Sequence, residues 1–260
     1  MTTPPEDRPT AQQIFDDVLE SARDEVGRPT TGLALSGLAA GMGLGLTGLA
    51  IAATTAILGN GSGATLVALL FYPIGFIAVI VGRQQLFTEN TLYPVALILD
   101  ERKRRHFYDT ARLWVVVFLA NIVGGALFAL LVTKGHALDG DIVHELVRLG
   151  NRSADQTWAH VFATGIIGGW LLALVAWLVT AAQWTIGHVV VIWILTFLVG
   201  LANLAHCIAT SVEILASCFT GGVSAGAYLA WLSAATLGNI VGGVFIVTLL
   251  NYGQVVAGES

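Results

Sequence analysis

Two polar stretches interrupt otherwise apolar sequence: "GRQQLFTENTLYP", Gly82 to Pro94, and "NLAHCIAT", Asn203 to Thr210. They carry Arg83, Glu89 and His206, and Glu213 follows seven residues after the histidine. Ionisable side chains inside apolar spans are costly and usually functional. A bare anion crosses a dry apolar neck only at high cost, whereas its conjugate acid crosses far more cheaply. An imidazole titrates near neutrality, so it can lend a proton or stabilise an anion by a hydrogen bond. His206 is therefore a candidate pore group; its other reading is a packed histidine bonded to a backbone carbonyl. Arg83 either draws an anion toward a constriction or forms a structural ion pair with Glu89 or Glu213, since a buried unpaired arginine is expensive. Glu213 lies two helical turns beyond His206 and can share its face if the helix has resumed. It can equally cap a loop or sit at a subunit interface.

The elements that must position these groups are membrane helices. Of 260 residues, 55 % are hydrophobic and 11 % charged, with a mean hydropathy of +0.77; soluble domains run nearer a quarter charged. A net charge of −5 without a basic stripe excludes a nucleic-acid partner. Cys207 and Cys218 lack metal-ligand spacing and read as packed thiols, so no metal or cofactor is expected. There is no HExxH, no paired catalytic carboxylates and no nucleophile elbow, which argues against an enzyme.

A hydrocarbon core about 30 Å thick needs roughly 20 apolar residues as helix. Six regions qualify: Gly32–Leu58, Ala64–Leu99, Leu113–Thr133, Trp158–Ala182, His188–Phe219 and Gly222–Leu250. The second and fifth are too long for one simple crossing and carry the polar stretches midway. The first thirty residues show no signal-peptide pattern, so the first span is expected to insert and stay. Arg8, Arg23 and Arg28, with the five basic residues of "ERKRRHFYDTAR", lie on one side; Lys134, Arg148 and Arg152 lie on the other. The basic excess places both termini in the cytoplasm of an inner membrane and turns the 135–156 loop outward. That loop reads as solvated chain or a short helix. "DERKRRH" reads as a topology determinant at lipid headgroups, with an anion funnel as the minor reading. Trp114, Trp158 and Trp184 read as interface anchors. In the tail, Ile14, Val18, Leu19, Ala22 and Val26 recur at helical spacing, predicting a short amphipathic helix resting on the bundle.

"LANIVGGALFALLV" returns as "LGNIVGGVFIVTLL", and Asn121 and Asn239 are 118 residues apart. The same offset overlays "QLFT" (Gln85–Thr88) on "NLAH" (Asn203–His206). Glycine-rich "AAGMGLGL" has a looser echo in "ATGIIGGWLL". Each half then holds three spans, and an odd number inverts one half relative to the other, an architecture that builds substrate sites at the midplane. Asn121, Gly124, Gly125, Asn239, Gly242 and Gly243 read as close-packing residues. The expected organisation is a tail over 1–30, a six-span channel domain over 31–251 (repeats 31–133 and 158–251), and a cytoplasmic end over 252–260. The fold class is all-α integral membrane, with spans two and five broken.

"LFTENT", the lone histidine of the broken fifth span and "GNIVGG" resemble the formate/nitrite transporter family over roughly residues 30–250. The resemblance implies an aquaporin-like fold of two inverted three-helix repeats and a homopentamer with one pore per protomer. It implies a channel or proton-linked carrier for small monovalent weak-acid anions, with protons and membrane lipid as the other partners. It makes Thr88 the hydroxyl at the constriction, His206 the central histidine, and Leu86, Phe87 and Asn90 part of the same loop. The chain departs from the family pattern: Thr210 replaces an asparagine, Arg83, Gln84 and Gln85 replace small residues and an acid, and a vestibule lysine and a span-four asparagine are missing near Ser153 and Gly169. An aquaporin-like pore for neutral solutes, or a non-conducting pore plugged by an Arg83–Glu89 pair, stand as alternatives.

Overall fold

The computed structural model describes residues 9–258, and among them every regular element is helical. Arg8 of the basic tail and the last two residues of the C-terminal segment lie outside the described residues. Helix α1 (Ala11–Gly27) opens with a capping box: Thr10 accepts from the Gln13 N–H, and the Gln13 side chain accepts from the Thr10 N–H. It buries Phe15, Val18, Leu19, Ala22 and Val26 against the bundle and half-buries Ile14, as its periodicity predicts.

The first half continues with α2 (Thr30–Leu58), α3 (Ser62–Leu69), α4 (Ile74–Val81), a 3-10 turn (Glu89–Thr91), α5 (Tyr93–Glu101) and α6 (Arg104–Lys134). The second half has α8 (Trp158–Ala181), α9 (Thr185–Leu201), α10 (Ala209–Thr220), α11 (Ala225–Val241), a π-helical segment (Gly242–Thr248) and α12 (Leu249–Gly258). Between the halves lies α7 (Gly140–Ala154). Among the described residues, five helical stretches are long and apolar enough to cross a membrane: α2, α3–α4, α6, α8, and α11 through α12. Helices α9 and α10 are apolar but shorter, and lie on either side of the 202–208 segment. The last helix runs through Gly258, past the expected boundary at 251.

Helix α2 packs chiefly on α6, and α8 on α11. These contacts depend on missing side chains. A β-carbon on Gly41 would collide with the Asn121 carbonyl, and one on Gly169 with the Asn239 carbonyl. Gly124 and Gly242 meet the carbonyls of Leu38 and Ile166 in the same way. Gly125 faces the Val212 side chain, and Gly243 faces Thr91 Oγ1. The small-residue motif therefore sets backbone-to-backbone distance.

Helix α7 is not a solvated loop. Glu145, Leu146 and Gly150 are buried, against α2 and α10. Buried Glu145 is satisfied by Arg148 at 2.6 Å, and Arg148 also donates to Asn60 Oδ1 at 2.7 Å. At the opposite face, Glu101 takes Lys103, Arg23 and His106 together, and these donors hold its carboxyl below the usual range, Lys103 foremost. The basic turn expected to face lipid headgroups thus also ties α1 to α5. Of the three expected anchors, Trp158 and Trp184 are exposed, and Trp114 is half-buried and donates to the Asn90 carbonyl at 2.9 Å.

Adding one methyl at Gly41 or Gly169 should separate the paired helices and cost about 1–3 kcal/mol, the usual range for overpacking. Thermal unfolding in detergent should show lower midpoints for Gly41→Ala and Gly169→Ala. Gly63→Ala, where a β-carbon meets nothing within 4 Å, should not lower the midpoint and should raise it slightly, since Ala is the better helix former.

Candidate functional site

The site is built where α4 and α9 stop. Arg83 (φ 52°) and Asn203 (φ 51°) turn the chain through the left-handed region just past each helix end. The next residue then bonds back: Gln84 N–H to Val79 O at 3.0 Å, and Leu204 N–H to Val199 O at 2.9 Å. The chain runs on without helical bonds, leaving N–H and C=O groups that the apolar interior cannot solvate.

One asparagine satisfies each stretch. Asn121 Oδ1 accepts from Phe87 N–H at 2.9 Å, and its Nδ2 donates to the carbonyls of Gln85 and Gly37, both at 2.8 Å. Asn239 Oδ1 accepts from Cys207 N–H at 2.9 Å, and its Nδ2 donates to Ala205 O at 2.9 Å and Gly165 O at 2.8 Å. The asparagines are clamps as well as packing residues.

These bonds correct the register of the repeat. Phe87 corresponds to Cys207, Gln85 to Ala205 and Arg83 to Asn203, so the polar stretches are related by 120 residues rather than 118. The clamp spans 34 residues in the first half and 32 in the second, because the second connection is two residues shorter. His206 is therefore the counterpart of Leu86, and Thr88 that of Ile208.

Thr88 and His206 nevertheless meet, Oγ1 to Nε2, at 3.0 Å, both buried. The imidazole's other nitrogen decides the tautomer. Nδ1 accepts from the backbone N–H of Ala209 at 3.0 Å and of Ile208 at 3.3 Å, at the start of α10. Nδ1 is thus unprotonated, and Nε2 carries the hydrogen that it donates to Thr88. The hydroxyl hydrogen of Thr88 has no acceptor among the described residues. The Phe76 ring stands edge-on to the imidazole at 5.0 Å, with Tyr72 stacked on Phe76 at 5.6 Å. Neither aromatic was legible as a site residue, because each looks like an ordinary apolar position in sequence.

Leu86 and Phe87 are buried, and the Phe87 ring is wedged against Trp114 and Phe118. Asn90 faces the loop, donating to Gln85 Oε1 at 3.1 Å. Gln85 in turn donates to Glu25 of α1, a link not foreseen from sequence. Burial raises the Glu25 carboxyl above its usual value, against the pull of Arg28. Arg83 is exposed and borders a cavity of about 530 Å³ with Arg23, Asp24, Glu25 and Arg28. Among the described residues it forms no ion pair, so the expected pairing with Glu89 or Glu213 is not formed. The reason is position: solvent reaches Arg83, so it needs no partner. Glu89 is half-buried at the 3-10 turn.

On the α7 side of the Thr88–His206 contact lies a second cavity, of about 290 Å³, lined by Tyr72, Arg148, Arg152, Asn203, Thr210 and Glu213 among others. Thr210 donates its N–H to His206 O at 3.2 Å. No cluster of potential metal ligands occurs among the described residues.

Comparison with known proteins agrees with this architecture. Residues 12–253 match the family described as formate/nitrite transporter. The chain is 33 % identical over 246 residues to Inner membrane protein YfdC of Escherichia coli (strain K12), covering 94 % of this chain and 79 % of that one. It is 30 % identical over 210 residues to a Probable formate transporter of Methanothermobacter thermautotrophicus, covering 72 % and 75 %. A solved FNT family ion channel superposes with a TM-score of 0.79 at 22 % identity, over 94 % of this chain and 98 % of that one. A pentameric formate channel with formate bound gives 0.72 at 21 %, over 91 % and 98 %.

Removing either clamp should loosen one loop. Asn121→Ala and Asn239→Ala each strand two buried loop groups, one N–H and one C=O, at about 1–3 kcal/mol per unsatisfied group. Hydrogen exchange should accelerate at Phe87 in the first variant and at Cys207 in the second. Equal exchange at both amides would contradict one clamp per loop.

Proposed function

The chain belongs to the formate/nitrite transporter family, and from that premise we propose that it is a membrane pore for a small monovalent weak acid and its anion, proton-linked through His206. In this reading the chain crosses the membrane six times: α2, α3–α5, α6, α8, α9–α10, and α11–α12. The crossings form two inverted three-helix repeats, with α3–α5 and α9–α10 broken at the centre. Both termini face the cytoplasm of an inner membrane, on the strength of the basic residues around α1 and α5. A homopentamer is the matching assembly, by likeness to the pentameric formate channel. Transport rather than catalysis agrees with the channel and transporter names among the relatives.

The observation that carries the reading is the buried contact between Thr88 and His206. Backbone donors occupy Nδ1, so the ring's one N–H is at Nε2 and fixes the Thr88 oxygen as its acceptor. The free hydroxyl hydrogen of Thr88 points the same chemistry at a passing oxygen. A preorganised donor, held in place by the Nε2–H bond to its oxygen, can offset part of an anion's lost hydration. A proton on the substrate removes the remaining charge, which makes flux rise as pH falls toward the pKa of the acid. A neutral-solute pore is the second reading, favoured by the acid Glu213 in the α7-side cavity.

In liposomes, formate and nitrite uptake should be stimulated by acid. His206→Asn keeps an acceptor for the α10 amides but loses the Nε2–H. Thr88→Val removes the hydroxyl at equal size. Each should lower flux about tenfold or more, the equivalent of one lost buried hydrogen bond worth roughly 1–3 kcal/mol. Uptake of a neutral solute such as glycerol, with no anion flux and no effect of either variant, would reject the weak-acid reading.

A further inference from the structure

Three polar side chains without partners converge on the α7-side cavity. Tyr72 comes from the turn between α3 and α4, and Thr210 and Glu213 come from the start of α10. Tyr72 is 7 % and Glu213 8 % exposed and Thr210 is half-buried, yet among the described residues none of the three side chains makes a hydrogen bond or ion pair. Polar groups shut inside a protein are nearly always paired, so three unpaired groups on one cavity call for an occupant. The fold itself does not require them. At the 120-residue offset set by the clamps, the counterparts of Thr210 and Glu213 are Asn90 and Tyr93, and both are satisfied. Asn90 donates to Gln85 Oε1 at 3.1 Å, and the Tyr93 hydroxyl donates to Ala176 O at 3.3 Å. The counterpart of Tyr72 is the apolar Ile192.

The unpaired groups are held in place. Gly150 of α7 lies directly over the Glu213 carbonyl, Gly48 of α2 lies beside its side chain, and Tyr72 is stacked on Phe76. Their chemistry is that of uncharged donors. Among the described residues no lysine or arginine is buried. Arg148, at the cavity wall, is engaged by Glu145 and Asn60, and Arg152 is exposed. A carboxyl group this deep, with no cation or donor beside it, keeps its hydrogen, because the charged form would stand unpaired in apolar surroundings. Glu213, Tyr72 and Thr210 then each offer one O–H. An oxyanion has acceptor sites only, and hydrogen bonds to a charged acceptor are about twice as strong as those to a neutral one. A neutral polyol would meet the same groups with weaker bonds. The volume of about 290 Å³ accommodates a small oxyanion together with water.

We propose that the α7-side cavity is a binding site for a small oxyanion such as formate or nitrite, held by the O–H groups of Glu213, Tyr72 and Thr210 rather than by a fixed positive charge. The site is a holding point on the α7 side of the Thr88–His206 contact, and in that role it rests on the weak-acid reading above.

Saturation-transfer NMR on the full chain in detergent, at neutral pH where formate is almost wholly anion, measures the binding. The native protein should bind formate saturably, with nitrite competing and glycerol not. Trp231 lines the same cavity, so formate should change the tryptophan fluorescence, and Trp231→Phe should remove that change. Tyr72→Phe and Thr210→Val each delete one donor and should weaken binding about tenfold, the worth of one hydrogen bond to a charged group. Glu213→Gln keeps a donor at nearly equal size and should bind as the native protein does, whereas Glu213→Leu should bind far more weakly. Gel filtration at the native elution volume establishes that each variant is folded. Glu213→Gln binding much more tightly than native would show a charged carboxylate opposing the anion and would overturn the proposal. Unchanged affinity in Tyr72→Phe, Thr210→Val and Glu213→Leu alike would overturn it, as would glycerol competing as well as nitrite. Acid-stimulated uptake in liposomes with no saturable formate binding would remove the site and leave the pore. Saturable binding that responds to these variants, with no uptake at all, would support the site and remove the pore.

Discussion

A helix that stops inside an apolar bundle exposes backbone N–H and C=O groups that nothing around it can solvate. That constraint governs this molecule. Both polar stretches abandon helical bonding, and in each a single asparagine side chain from the neighbouring helix meets the exposed groups. The asparagines can reach because Gly41 and Gly169 let α2 and α8 come into backbone contact with α6 and α11 at those very residues. The same Nδ2 groups bond Gly37 and Gly165 across that contact. Packing and polar satisfaction are therefore one device, used twice.

The device has a consequence for chemistry. Because the loops are held by residues outside them, side chains within them are free for other work. Thr88 and His206 come together from loops over a hundred residues apart in sequence. His206 also accepts at Nδ1 from the first amides of α10, so its orientation is tied to the helix it precedes. The packed-histidine reading expected a bond to a backbone carbonyl; the ring instead accepts from two backbone N–H groups at Nδ1 and meets the Thr88 hydroxyl at Nε2. The π-helical segment adds a further brace, with Thr248 donating to the Thr91 carbonyl at 3.1 Å and Gly243 allowing the approach of the Thr91 side chain.

Charge is distributed unequally about this centre. On the α1 face, Arg83 stands in solvent among Arg23, Glu25 and Arg28, and Glu25 reaches the loop through Gln85. On the α7 face the arginines are outermost and Glu213 lies within. The two sides thus differ in electrostatics even though the backbone is nearly repeated. Salt screens the exposed arginines far more than the buried carboxyl.

Composition and hydropathy by themselves determine that this is a membrane-helical protein, because apolar runs of such length have no other stable home. The "NIVGG" repeat and the two polar interruptions determine that the chain has two related halves with a break in each. The α1 face was also legible, since five apolar residues at helical spacing have one side to bury. The register of the breaks was not. A two-residue difference lies in the connection before the second asparagine, where sequence similarity is absent, and only hydrogen bonding shows that Leu86 rather than Thr88 is the counterpart of His206. Nor did sequence decide the fate of Arg83. A residue embedded in a hydrophobic run reads as buried, but a left-handed turn at a helix end delivers it to solvent. Phe76, Tyr72 and the partnerless state of Glu213 depend on which helices meet across long separations, and that is settled by tertiary packing alone.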